Sequence, residues 1–140
     1  MTGLRNFYSN LVMRLKILRV IKNHKTEFHV PLVAVKGELV QGEERETEYK
    51  GWLWCQNSAG INAWVPETYL EKTSDSGQYQ FLKDYNSREL NVNEGQEVIV
   101  LDEDSGWVWV RTTLGEEGWI PSGNVQDMSG KPDSIPDLMG

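Results

Sequence analysis

The chain has 140 residues, a net charge of −7, 39% hydrophobic residues and one cysteine. A single cysteine excludes an internal disulfide framework and suits a reducing compartment, and no run reaches the roughly 20 apolar residues that span a bilayer. Residues 1–25 hold six basic groups and no acid, so residues 26–140 carry 8 − 21 = −13, a charge that argues against a nucleic-acid partner.

The basic start lacks both a continuous apolar stretch and a small-residue cleavage site, so it does not read as a secretory signal. Residues 1–14 are expected to be a flexible arm, and Met13 offers an alternative start. Strong β-formers at Ile17-Leu18-Arg19-Val20-Ile21 predict a first strand. A polar loop follows over 22–36, then a turn at Gly37-Glu38 and a strand opening at Leu39. Residues 43–50 form an acidic loop, expected to be a solvated tip. A hairpin is predicted over 52–66 with Asn57-Ser58-Ala59-Gly60 at its turn, and Glu67-Thr68-Tyr69-Leu70 predicts one helical turn and a closing strand.

Residues 73–78 are polar and read as a linker. Strands are then predicted near 79–84, 96–103, 107–113, 117–121 and 125–127. The remainder, 128–140, is rich in Gly, Pro, Asp and Ser and is expected to be disordered.

Two stretches repeat. Gly51-Trp52-Leu53-Trp54 with Trp64-Val65-Pro66 returns as Gly106-Trp107-Val108-Trp109 with Trp119-Ile120-Pro121. Trp52 to Trp107, Trp64 to Trp119 and Pro66 to Pro121 are each 55 positions apart, and all six tryptophans fall in these copies. Alternation along Trp107-Val108-Trp109-Val110 puts the valines on one strand face and the tryptophans on the other. Val108 and Val110 are the expected core side. Trp107, Trp109 and Trp119 are then expected on an outer face, where bare indole area calls for an occupant.

The second copy resembles the Src-homology-3 (SH3) domain. Phe81-Leu82-Lys83-Asp84-Tyr85 is similar to the family's opening Ala-Leu-Tyr-Asp-Tyr motif, and Glu89-Leu90-Asn91-Val92-Asn93-Glu94-Gly95 to its Glu-Leu-Ser-Phe-x-x-Gly segment. Gly106-Trp107 and Gly118-Trp119-Ile120-Pro121-Ser122 supply the later signatures. The first copy resembles the family more at its end, through Trp64-Val65-Pro66-Glu67-Thr68-Tyr69-Leu70. The whole reads as a bacterial-type variant SH3 pair.

The resemblance implies an all-β fold of two small five-stranded SH3-like barrels in tandem, the first over 15–72 and the second over 79–127. It also implies that aromatic grooves bind extended, proline-rich protein segments, so the expected partner is an unidentified protein or peptide. Carried over by residue, the peptide-binding set is His24, Glu27, Trp52, Trp64, Pro66 and Tyr69 in the first copy, with Tyr85, Trp107, Trp119 and Pro121 in the second. Lys83 and Asn124 stand where the family has tyrosines, which makes the first groove the stronger expected binder. Trp54 and Trp109 are expected to bury themselves between the two domains or in a homodimer.

His24 and His29 with Glu27 lack a third ligand at metal-site spacing, so no metal or cofactor is expected. One cysteine and two histidines assemble no nucleophile, base and orienting group, so the chain is not read as an enzyme. The expected function is a cytoplasmic adaptor, monomeric or weakly dimeric, without membrane association. The alternative is a structural module whose tryptophan faces drive domain packing or self-association.

Overall fold

A computed structural model describes residues 16–27, 30–47 and 49–128. His29, residues 1–14, the alternative start at Met13 and the tail beyond Met128 lie outside the described residues. The architecture is all-β, as expected, with two one-turn 3-10 helices at Glu67–Tyr69 and Ser122–Asn124. The strands are β1 (Lys16–Val20), β2 (Val33–Ala34), β3 (Leu39–Glu43), β4 (Trp52–Gln56), β5 (Asn62–Pro66) and β6 (Leu70–Lys72). The chain continues with β7 (Gln78–Phe81), β8 (Tyr85–Asn86), β9 (Glu97–Asp104), β10 (Trp107–Thr112), β11 (Glu117–Pro121) and β12 (Val125–Asp127).

These strands assemble into two five-stranded sheets, ordered β5-β4-β3-β7-β6 and β11-β10-β9-β1-β12, joined by the small pair β2-β8. Strand pairing therefore crosses the expected division at 15–72 and 79–127. The opening strand of the first half, β1, lies between β9 and β12, with Val20 opposite Val125 and Ile17 opposite Ile99. The opening strand of the second half, β7, lies between β3 and β6, with Phe81 opposite Leu70. The exchange is reciprocal down to individual hydrogen bonds. Gly37 N–H donates to Phe81 O at 2.8 Å, and its counterpart Gly95 N–H donates to Val20 O at 2.7 Å. Leu82 N–H donates to Tyr69 O and Ile21 N–H to Asn124 O in the same way.

The reason lies in the expected linker. Residues 73–77 do not separate two units. They close a hairpin in which Thr73 N–H donates to Gln78 O at 3.0 Å and Gly77 adopts a φ of 75°. A connection this short returns the chain antiparallel alongside the strand it has just left. Strand β7 thus completes the sheet that β6 ends, and β1 fills the vacancy this leaves beside β12.

The cores follow the exchange. One cluster unites Leu32, Val40, Leu53, Cys55, Val65, Tyr69 and Leu70 with Phe81, Tyr85 and Trp119 from the second half. The other unites Leu18 and Val20 with Leu90, Val92, Val98, Val108, Val110 and Ile120. Phe81 is 1% exposed and Val20 fully buried, so each exchanged strand plugs the other half's core. Burial of such side chains stabilises the fold by roughly 1.5–3 kcal/mol each. Cys55 is fully buried and its thiol is pushed up to about 12 by desolvation, as a small core residue requires.

Candidate functional site

Where the halves meet, a cleft of about 640 Å³ opens. Eight of the ten expected binding residues line it: His24, Glu27, Trp52, Trp64, Tyr85, Trp107, Trp119 and Pro121. Pro66 and Tyr69 do not. The exchange redistributes the residues of each expected groove. His24, on the arm that follows β1, forms an antiparallel bridge to Val92 and so stands beside Trp107 of β10 and Pro121 of β11. Its ring meets that of Trp107 edge-on at 5.6 Å. Tyr85 moves the opposite way, into the first core, where it packs on Tyr69 at 5.0 Å and donates its hydroxyl to Trp64 O at 2.9 Å.

The alternation reading holds for β10. Val108 and Val110 are buried, while Trp107 and Trp109 are half-buried on the opposite face. It fails for Trp119, which is 3% exposed and donates its indole N–H to Asn86 O at 2.9 Å. Trp52 is also buried. Its ring meets Trp107 at 6.0 Å and Trp119 at 6.1 Å, and its N–H donates to Ser105 O at 2.7 Å. The outer face of each hairpin becomes an inner face once the halves join, which a strand's own alternation cannot register. Trp109 packs against Trp119 at 5.4 Å at this junction, whereas Trp54 stacks edge-on with Trp64 at 5.1 Å beneath Arg45.

The first half's aromatic set is largely committed to internal contacts. Tyr69 donates its hydroxyl to Asp102 Oδ2 at 3.2 Å, and Thr68 donates to Asp104 Oδ2 at 2.5 Å. Burial and these carboxylates hold the Tyr69 hydroxyl well above the usual tyrosine range. The β9–β10 hairpin thus engages Trp52, Thr68 and Tyr69. Of the second half's set, Tyr85, Trp119 and Pro121 are buried and Trp107 alone is partly open. Trp107 is half-buried, and its indole N–H has no acceptor among the described residues.

Sequence reasoning did not name the other lining residues, among them Tyr49 and Glu89. Tyr49, placed in a solvated acidic loop, folds over the cleft and meets Trp107 edge-on at 5.3 Å. Glu89 lines the cleft floor and lies 3.0 Å from His24 Nε2, with both side chains under a fifth exposed. A tyrosine among glutamates carries no periodic signal, and the His24–Glu89 pair spans 65 positions across the exchanged arms. Among the described residues there is no group of three or more metal-ligating side chains, and no helix is long and apolar enough to cross a membrane.

The arrangement offers aromatic walls, the indole N–H groups of Trp107 and Trp64 without an acceptor among the described residues, and side chains of both charges, Lys22, Lys25, Glu27 and Glu89. The chain is similar to the human SH3 and PX domain-containing protein 2B, 27% identical over 128 residues that cover 81% of this chain and 14% of that protein. It is likewise similar to the mouse SH3 and PX domain-containing protein 2B, 29% identical over 110 residues covering 68% of this chain and 12% of the relative. The chain therefore spans only about a seventh of these relatives' length. No solved structure matches it. Residues 79–127 match the variant SH3 domain family. The family likeness thus spans residues 79–127, about a third of the chain.

Proposed function

We propose that the two SH3-like repeats, 15–72 and 79–127, act as one peptide-binding unit, with a single cleft at their junction that takes an extended, proline-containing protein segment. The observation that carries this reading is the free, half-buried indole of Trp107, framed by His24, Tyr49, Trp52 and Pro121. Ligand prolines pack between these rings in a polyproline II conformation, and the Trp107 N–H donates to a ligand carbonyl. Glu27, which is exposed, offers a carboxylate to a lysine or arginine in the bound segment, while Glu89 is engaged by His24. Trp52 contributes a wall, but its N–H is already taken by Ser105.

The reading ranks the tryptophans. An aromatic wall is worth roughly 1.5–3 kcal/mol, so Trp107→Ala should weaken a proline-rich peptide about ten- to a hundredfold. The test is titration of an arginine-bearing proline-rich peptide followed by amide and indole shifts. Expected shifts centre on Trp107, His24 and Tyr49, with affinity in the micromolar range of small transient interfaces. Unchanged affinity in a folded Trp107→Ala variant would overturn the assignment.

A further inference from the structure

A second cleft of about 400 Å³ lies on the other side of the wall formed by Tyr85 and Trp119, two rings that line both clefts. It is bounded by β2, by Asp84 and Tyr85, and by Asp102 and Trp109 of the β9–β10 hairpin. Each repeat of the sequence contributes to it only because β7 and β8 have crossed to the first half.

Three features bear on its occupant. Val33 and Val35 are 57% and 60% exposed, an apolar rim held in extended conformation where β2 pairs with β8. Asp84 and Asp102 both line the cleft, and among the described residues neither meets a cation within ion-pair distance. Asp84 accepts the Lys36 backbone N–H, while Asp102 accepts the Glu103 N–H and the Tyr69 hydroxyl, so both carboxylates are positioned by neutral donors. Finally, the aromatic lining tolerates a cation, since Lys83 Nζ already sits 4.0 Å from the Tyr69 ring centroid.

We infer that this second cleft binds an extended protein segment carrying an arginine or lysine between apolar residues. The cationic side chain lies against Trp109, between Asp84 and Asp102, and its neighbours cover Val33 and Val35. Lys83 occupies the Tyr69 ring, whereas Trp109 carries no cation among the described residues, and carboxylates without an ion-pair partner beside such a face select one, a planar guanidinium stacking there best. The occupant differs from the proline-rich segment of the first cleft in needing no proline, and its tryptophan contact, Trp109, does not line that cleft.

The probe is a blocked Ala-Val-Arg-Val-Ala peptide, with glutamate replacing arginine as control, titrated into the full chain and followed by amide and indole NMR. The inference expects saturable shifts at Val33, Val35 and the Trp109 indole, none with the control, and at least a tenfold loss of affinity in Asp84→Asn combined with Asp102→Asn. Asp84→Asn alone, at an exposed position, should weaken binding several-fold and serves if the double variant fails to fold. Trp107→Ala should leave this binding unchanged while weakening that of the proline-rich peptide about ten- to a hundredfold, which separates failure of one cleft from failure of the other. Shifts centred on Trp107 and His24, equal binding of the control, or unaltered affinity in the folded asparagine variants would overturn it.

Discussion

Strand exchange makes a demand that two self-contained halves would not. Phe81 stands opposite Leu70, and Val20 opposite Val125. If each half closed on itself, Phe81 would instead face Val125, and Val20 would face Leu70. Truncating Phe81 to alanine removes a side chain that is 1% exposed, at a cost of about 3–5 kcal/mol. Losing the buried Val20 side chain costs roughly 1.5–3 kcal/mol. Neither number alone distinguishes the arrangements, because each side chain would be buried in both. Coupling does. Residues in contact couple by roughly 0.5–3 kcal/mol in a double-mutant cycle, whereas distant ones add within about 0.5 kcal/mol. Urea unfolding of the single and double variants should therefore show coupling for Phe81→Leu with Leu70→Ala and for Val20→Ala with Val125→Ala. Phe81→Leu with Val125→Ala should be additive. The milder leucine keeps the protein folded across the series. Coupling of Phe81 to Val125, with none to Leu70, would refute the exchanged topology.

Other consequences are equally direct. Gly118→Ala would place a Cβ 2.8 Å from Leu90 Cγ and 3.0 Å from Arg88 O, so it should destabilise by about 1–3 kcal/mol, read as a lowered urea midpoint. Alkaline pH should weaken the fold. Cys55 is raised to about 12, and Tyr69 and Tyr85 are raised by burial, so the unfolded chain releases these protons first. Stability should hold below about pH 8.5 and fall as pH rises through the thiol and then the tyrosine range, with the thiol's share gone in Cys55→Ala. A thiol reagent at pH 8 should label Cys55 only as fast as the protein unfolds; immediate labelling of native protein would contradict its burial. Glu117 accepts hydrogen bonds from Arg111 and Trp109 and is held below the usual carboxylate range, so Glu117→Gln should remove a small acid-side contribution, seen as a flatter stability profile as pH falls toward 4.

Local chemistry along the chain was enough to place nearly every strand. Trp-Val alternation, the Asn57–Gly60 turn and the Gly-Trp-x-Pro signatures located β4, β5, β10 and β11, and the 55-residue spacing exposed the duplication. These are short-range properties, set by side-chain periodicity and turn stereochemistry. The family resemblance, carried over residue by residue, named part of the cleft, since Trp107, Trp52, His24 and Pro121 all reach it. Which half each opening strand joins was decided only by tertiary structure. The register of β7 against β6 depends on a five-residue turn at 73–77, and that turn reads in sequence as an ordinary polar linker. Because β1 and β7 change places, His24 meets Trp107, Tyr85 leaves the groove its motif implied, and the first aromatic platform is engaged by Asp102, Asp104 and Ser105. Periodicity says which face of a strand is apolar, but not which other strand will cover it.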